Sequence, residues 1–358
     1  MILVTGGAGY LGAHAVLALL EAGEEVVVLD NFANSSPEAL RRVRRISRRK
    51  PALVVGDVRD RAVLDDLFKR FPVDAVMHFA GLKAVGESVR QPLRYYDTNV
   101  GGSINLCQAM AYAGVFTLVF SSSATVYGDC QRMPIDEQTA CGHPTNPYGQ
   151  SKLMTEQVLA SLAQADDRWS IGVLRYFNPV GAHPSGLLGE SPKAVPSNLL
   201  PYLLRVAGGQ LPALPVFGDD YPTPDGTGVR DYIHVLDLIA GHLDTLAYLR
   251  RSSGIRAWNL GTGLGYSVLE LVHAFERISG ISVPLDMRER RPGDVAMCWA
   301  DATRAREELG WVARRNLDTM LRDAWRWQRA NPTGYSKMPG SGTAAKVGDE
   351  RASALPLR

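Results

Sequence analysis

Cysteine is scarce: the 358-residue chain carries four, Cys107, Cys130, Cys141 and Cys298. None falls in a C-x-x-C, and a chain this long does not need disulfide staples, so a reducing, cytoplasmic setting fits best. The seven histidines are scattered, without H-x-x-x-H or H-E-x-x-H spacing, so no metal site is expected. No charge of one sign dominates. The formal net charge is +2, and the whole-molecule field points to neither nucleic acid nor a membrane surface. No apolar run approaches the roughly 20 residues of a membrane helix. No basic segment precedes the first apolar run, so no secretion signal is expected. Large apolar residues are almost missing from 336–358, rich in Gly, Ala, Ser and Lys. Such a stretch cannot offset its chain entropy by burial and is expected to be a disordered tail without a catalytic part.

What is present is a soluble globular composition, 46% hydrophobic and 21% charged. Short apolar runs alternate with helical patterns through the first half. The candidate strands are Ile2–Thr5, Glu25–Asp30, Leu53–Val55, Ala75–Phe79, Thr117–Ser121 and Ile171–Arg175. Their Val, Ile, Leu and Phe content suits strands buried on both faces. This βαβ order predicts an α/β fold, a doubly wound parallel sheet with ligands at the carboxyl ends of its strands. Beyond Asn178, Gly and Pro become frequent, which suits the loops of a smaller α/β lobe clasping a substrate. The apolar run Ala257–Leu260 returns to the main sheet. The expected division is 1–177 with 230–261 returning to it, then 178–335 as the substrate lobe. Arg41–Lys50 carries seven basic residues in ten. With Ser36-Pro37 as a helix start and Leu40, Val43 and Ile46 as a buried stripe, it reads as a solvated helix face, since no aromatics interleave the charge.

Thr5-Gly6-Gly7-Ala8-Gly9-Tyr10-Leu11-Gly12 follows the first strand directly. The glycines Gly6, Gly9 and Gly12 let the backbone turn tightly and approach a pyrophosphate, while the next helix offers free N–H groups. Asp30 ends the second strand, where it accepts from adenosine ribose hydroxyls and repels a 2′-phosphate. The pattern is Rossmann-type, with NAD favoured over NADP. Asp57-Val58 then suits an adenine contact, and Phe79-Ala80-Gly81 ends the fourth strand over the cofactor. Each of these alone is also an ordinary strand–loop junction.

Ser121-Ser122-Ser123-Ala124-Thr125 follows the fifth strand, and Pro147-Tyr148-Gly149-Gln150-Ser151-Lys152 comes later. In a helix Tyr148 and Lys152 share a face, about 5–6 Å apart at Cβ. A lysine ammonium there lowers a phenol pKa towards working pH. The phenolate then takes a proton from a substrate hydroxyl while hydride leaves the same carbon. The Ser123 hydroxyl can bridge the phenol and the substrate oxygen. A bare Y-x-x-x-K is common by chance; here it accompanies the glycine loop and a serine run at a strand end.

These motifs, with R-Y-F-N-P-V-G-A-H-P-S-G (Arg175–Gly186), D-G-T-G-V-R-D-Y-I-H-V (Asp225–Val235) and R-P-G-D (Arg291–Asp294), resemble the UDP-glucose 4-epimerase family. That family lies in the extended short-chain dehydrogenase/reductase superfamily, and the resemblance runs from Met1 to Tyr335. It implies reversible epimerisation of UDP-glucose and UDP-galactose through a 4-keto sugar, on tightly bound NAD regenerated each turnover. It also implies a homodimer, pairing helices within Tyr95–Met110 and Tyr148–Ala163. The cofactor set it implies adds Tyr10, Leu11, Asn31, Asn34, Ser35, Lys83 and Phe177 to the residues above. The implied UDP-sugar set is Asn178, Asn198, Leu199, Phe217, Arg230, Arg291 and Asp294. Related dehydratases and decarboxylases carry acidic residues where this chain has Ala124 and Thr125, which cannot act as acid and base.

Cys298 departs from the tyrosine that many glucose-restricted bacterial members carry. A smaller residue implies a roomier pocket that also takes UDP-N-acetylhexosamines. Two alternatives stay open: an epimerase for another UDP-sugar (N-acetylhexosamine or pentose), and a non-catalytic NAD-binding regulator. The intact Tyr148, Lys152 and Ser123 weigh against the regulator.

Overall fold

The computed structural model describes residues 1–130, 132–291 and 293–335; the expected tail lies outside the described residues. The first part runs β1 (Ile2–Thr5), α1 (Tyr10–Glu21), β2 (Val26–Asp30), α2 (Pro37–Ser47), β3 (Ala52–Val55), α3 (Arg61–Arg70) and β4 (Ala75–His78). Two short helices follow, α4 (Val85–Arg90) and α5 (Pro92–Tyr95), then a π-helical stretch (Tyr96–Gly101) leading into α6 (Gly102–Ala113). β5 (Thr117–Ser123), a 3-10 turn (Ala124–Tyr127), α7 (Pro147–Ala165) and β6 (Ser170–Tyr176) complete it. The second part runs β7 (Asn178–Val180), α8 (Leu199–Ala207), β8 (Leu214–Phe217), β9 (Val229–His234), α9 (Val235–Leu249) and β10 (Gly254–Leu260). It ends with β11 (Gly265–Ser267), α10 (Val268–Ser279), β12 (Leu285–Arg288), β13 (Met297–Cys298), α11 (Thr303–Leu309) and α12 (Leu317–Ala330).

Seven strands form one parallel sheet in the order β10-β6-β5-β4-β1-β2-β3. The order reverses beside β1, so the carboxyl ends of β1 and β4 frame the switch-point crevice. β1, β2 and β4 are buried throughout, as their unbroken apolar runs require. β3 departs from that expectation. It is the edge strand, so alternate residues face water, with Leu53 42% and Val55 65% exposed. β5 runs two residues further than its apolar run suggests. Ser122 and Ser123 stay in register with Arg175 and Tyr176, so pairing with β6 carries the polar end.

β7, β11 and β13 pair with β9 in a smaller sheet, and β8 pairs with β12. Leu200, Leu203, Tyr232, Leu271, Phe275 and Leu321 fill the core of this lobe. Of the stretch 230–261, α9 packs on β5 and β6 and β10 pairs with β6, whereas β9 belongs to the smaller sheet. Of the basic run, Arg41, Arg42, Arg44 and Arg45 lie on α2, while Arg48, Arg49 and Lys50 follow its end. Ser36 caps the helix by accepting from Glu38 N at 3.3 Å, and Ala39, Leu40 and Val43 are buried. One basic residue turns inward: Arg42 lies 5.5 Å from the Trp327 ring centroid and 5.0 Å from that of Tyr335, tying α2 to α12. No helix among the described residues is long and apolar enough to cross a membrane.

Candidate active site

The glycine loop leaves β1 through Gly6, whose φ of 67° is in the left-handed region. A Cβ on Gly6 would stand 2.8 Å from Ala80 N, and one on Gly12 would stand 2.1 Å from Gly6 O. Only glycine fits either place, and the loop therefore lies flat over the end of β4. Gly9 begins α1 without a side-chain cap, and no acidic residue sits in the first turn. The N–H groups at Tyr10, Leu11 and Gly12 are thus the orphan donors of a helix start, suited to phosphate. Tyr10 also has a second job, since its hydroxyl donates to Gly181 O at 2.8 Å.

Asp30 closes this cradle. It accepts from Ala8 N at 2.9 Å, Phe32 N at 2.8 Å and Ser35 Oγ at 2.7 Å. A carboxylate has about four acceptor positions, so one stays open to a ribose hydroxyl. Asn31 donates to Asp57 at 2.8 Å, and Arg59 binds Asp57 at 2.9 Å and Asp97 at 2.7 Å. Arg59 holds the Asp57 carboxyl down at about 2. Val58 is buried beside Gly102, and Asn34 is exposed on the loop after β2. Together these residues fit a dinucleotide on size, donors and charge.

Asn146 caps α7 by accepting from Gly149 N at 2.9 Å, and Tyr148 and Lys152 follow on one buried face. Lys152 donates to Ser121 O at 2.8 Å and lies 4.9 Å from the Phe120 ring centroid. Ser123 draws the Tyr148 phenol pKa down, and its hydroxyl accepts from Thr125 N at 3.3 Å and Thr125 Oγ1 at 3.0 Å. The structure thus places the serine run of β5 against the face of α7 that carries the tyrosine and the lysine. The expected lowering of the phenol pKa by Lys152 is not found. Burial raises Tyr148, and only the Ser123 bond pulls it back. The ammonium itself is turned onto the Ser121 carbonyl. Burial also lowers Lys152 to about 8, against a raising pull from Glu156. Ala124 is buried and Thr125 serves Ser123, so neither offers an acid or base.

At the end of β4, Phe79 stacks on His242 with centroids 4.8 Å apart. Ala80 N donates to Thr5 Oγ1 at 3.3 Å, and Gly81 abuts Asn99. Lys83, expected at the cofactor, pairs with Glu190 at 2.6 Å, which the loop after β7 brings across to it. Phe177 is buried beside Ala124, Tyr127 and Leu153.

Two neighbours escaped the sequence reading. Asn99 accepts from Leu82 N at 2.8 Å and donates to Leu82 O at 3.0 Å and Ser151 Oγ at 2.9 Å, joining the β4 end to α7. It sits in the polar run Asp97-Thr98-Asn99, and nothing in that run singles it out. Tyr176 shares a 2.7 Å hydrogen bond with Ser121 Oγ. No motif marked it beyond its place beside Arg175.

The substrate-side residues gather at the edge of the smaller lobe. Asn178 is exposed on β7, Asn198 starts α8 without using its side chain as a cap, and Leu199 is half-buried after it. Arg291 forks onto Asp294 at 3.1 and 3.0 Å, reaches Ser197 O at 3.4 Å and lies 5.4 Å from the Phe217 ring centroid. Asp294, expected to be open to a ribose, is therefore already held by the arginine expected on the diphosphate. Arg230 donates Nη1 to Val229 O at 2.9 Å and stands in register with Cys298. Cys298 packs towards Ala124 and Phe177, and burial pushes its thiol up to about 12. Tyr221, also missed, is tucked against Gly218 with its hydroxyl buried and unpartnered among the described residues.

A family model described as GDP-mannose 4,6 dehydratase matches residues 3–324. The chain is 56% identical over 335 residues to the UDP-glucose 4-epimerase of Yersinia enterocolitica, covering 94% of this chain and 99% of that protein. It superposes with a TM-score of 0.91 at 51% identity on the UDP-glucose 4-epimerase of Bifidobacterium longum in complex with NAD+ and UDP, covering 93% of this chain and 99% of that one. The TM-score is 0.90 at 52% identity against the Stenotrophomonas maltophila UDP-glucose 4-epimerase with bound NAD and formylated UDP-arabinopyranose, over 92% and 98% of the two chains.

Proposed function

We infer the function from one premise: the chain belongs to the UDP-glucose 4-epimerase family of the extended short-chain dehydrogenase/reductases. It is an isomerase that epimerises UDP-glucose with NAD. The observation that carries a proton-relay reading is the convergence of Ser123, Tyr148 and Lys152 beside the glycine cradle, with Ala124 and Thr125 where an eliminating enzyme needs an acid and a base.

In this reading Tyr148 removes the proton of the sugar 4′-hydroxyl and later returns it. Ser123 bridges the phenol and the sugar oxygen, and the Lys152 ammonium keeps the site positive as the phenolate forms. NAD, when bound, supplies the acceptor for hydride from C4′ and gives it back to the opposite face of the 4-keto sugar. Gly6, Gly9, Gly12 and Asp30 hold it, with Asp57, Val58, Phe79, Ala80 and Gly81 along its length. Arg230 and Arg291 anchor the diphosphate while the sugar turns, their planar forks suiting phosphate oxygens. Asn178, Asn198, Leu199, Phe217 and Asp294 border the nucleotide. Cys298 leaves space for an N-acetyl group. The NAD-binding unit is 1–177 together with α9 and β10, against which α11 packs, and the elements around β9 and β8 form the sugar-nucleotide lobe.

Incubating the purified chain with UDP-galactose, without added NAD, tests the reading. UDP-glucose is expected to appear; a protein carrying bound NAD that produces none refutes it.

Two further parts of the reading rest on surface and redox chemistry. Val89, Leu93 and Met154 are exposed on α4, α5 and α7, with Leu93 81% exposed. This apolar strip beside the catalytic helix suits a homodimer across a two-fold axis, which sedimentation of the purified chain checks. All four cysteines are free thiols, as a cytoplasmic enzyme keeps them, and cell fractionation checks that.

A further inference from the structure

Tyr148, Lys152 and Glu156 follow one another at intervals of four along α7, so they share one face. β5 meets each of them from three consecutive serines. Ser123 lowers the Tyr148 phenol pKa, the Ser121 carbonyl takes Lys152 at 2.8 Å, and the Ser122 hydroxyl donates to Glu156. Glu156 is 7% exposed. It accepts from Arg175 Nε at 3.2 Å on both oxygens and from Nη2 at 2.6 Å. Arg175 stands directly opposite Ser122 in the pairing of β5 with β6, and donates onward to Tyr127 Oη at 3.1 Å. One carboxylate therefore joins α7, β5 and β6 immediately behind the catalytic face. Buried ion pairs of this kind are often no more stabilising than apolar residues of the same volume, so stability alone is a weak reason for this one.

We propose that Glu156 is a positioning residue for the reaction, locking the serine run of β5 against α7 and holding Lys152 as an ammonium. The inference rests on the roles given above to Tyr148 and Lys152. Around Lys152 stand Tyr148 and Glu156, one turn to either side on α7, Ser121 O on β5 and His78 on β4, with Tyr176 of β6 bonded to the Ser121 hydroxyl. Around Glu156 stand Arg175, Ser122 and Cys141, with Tyr127 bonded beyond Arg175. Burial keeps His78 neutral at about 3, the Cys141 thiol neutral at about 11, and the phenols Tyr127 and Tyr176 neutral above their ordinary value. Glu156 is then the one anion of this set, and it opposes the desolvation that drives the lysine neutral. Three hydrogen bonds from Arg175 fix the carboxylate in place.

The test is the pH dependence of kcat with UDP-galactose, beside bound NAD content and thermal melting, for the native enzyme and three variants. Activity requires the ammonium, so it falls on the alkaline side as Lys152 deprotonates. Glu156→Gln is expected to retain NAD and to move that alkaline limb down by about one pH unit, having lost an anion and exposed an unpaired Arg175. Arg175→Gln leaves the anion unopposed and is expected to move the limb upward. The double variant E156L/R175M orphans no charge, so it is expected to fold even where a single variant does not, with its limb below the native one. A native-like limb in E156L/R175M, or in a folded Glu156→Gln that merely melts earlier, overturns the role of Glu156 and leaves that of Lys152 standing. Undiminished turnover in Tyr148→Phe instead overturns the underlying reading, and this inference with it.

Discussion

Cys298 stands beside Arg230 in the parallel register of β13 against β9. The thiol is small, and it packs towards Ala124 and Phe177, next to the catalytic serine run. A tyrosine in its place would fill the same wall. The native enzyme is expected to turn over UDP-N-acetylgalactosamine as well as UDP-galactose. Cys298→Tyr is expected to keep the second activity and lose the first by roughly 10- to 200-fold, the range that a pocket's change in fit supplies. Coupled assays on both UDP-sugars check this; native enzyme inactive on the acetylated sugar sinks it.

Burial raises the Tyr148 pKa and Ser123 draws it down. In the proposed relay, removing the hydroxyl takes away the proton carrier and little packing. Tyr148→Phe is expected to lower kcat by about 10²- to 10⁴-fold, the usual worth of a positioned acid–base group. Melting temperature and NAD content should stay near native. Turnover within a few-fold of native would assign the proton transfer elsewhere.

The loop from Gly181 to Lys193 touches four separate parts of the dinucleotide unit. Gly181 O accepts from Tyr10, Leu187 O accepts from Arg42 at 3.1 Å, Glu190 pairs with Lys83, and Lys193 donates to Phe32 O at 2.6 Å. This strap spans the glycine loop, the turn after Asp30 and the end of β4. Each exposed polar tie contributes at most about 1 kcal/mol. Cutting two, in Glu190→Gln/Lys193→Ala, is expected to raise the NAD release rate roughly 5- to 30-fold, since about 1–2 kcal/mol is at stake. NAD retained after dilution and gel filtration, followed over hours, measures it; native-like retention counts against a closing role for the loop.

Local chemistry made most of this legible in advance. β1 and β2 are unbroken apolar runs, and each glycine of the loop sits where a side chain has no room. Such features depend on neighbours in sequence. What escaped the sequence depends on neighbours in space. Nothing near Lys83 announces Glu190, 107 residues away. The failed expectation for Tyr148 is of the same kind. Helical spacing places Lys152 on the right face, but only the fold shows the ammonium turned onto Ser121 and the phenol desolvated. β3 shows the converse: its residues suit burial, and its place at the edge leaves half of them in water.

His14, His78 and His242 are buried in the dinucleotide unit, and burial pushes them down to about 3, about 3 and about 4. The Nε2 atoms of His14 and His242 meet no hydrogen-bond partner among the described residues, so protonation in place is unrewarded. In the unfolded chain each titrates near 6.5. Because the folded values lie below that, the unfolded state binds protons that the folded state refuses. Their stability contribution is therefore complete above about pH 6.5 and is lost as pH falls towards the folded values, at about 1.4 kcal/mol per pH unit for each group. The urea midpoint is expected to be nearly flat from about pH 8 to 7 and to fall from about pH 6 downward, before most carboxylates begin to titrate. His242→Phe preserves a ring against Phe79 and removes one titrating group, so its midpoint should fall less steeply over the same window. An acid slope identical to native in that variant would clear His242 of any part in it.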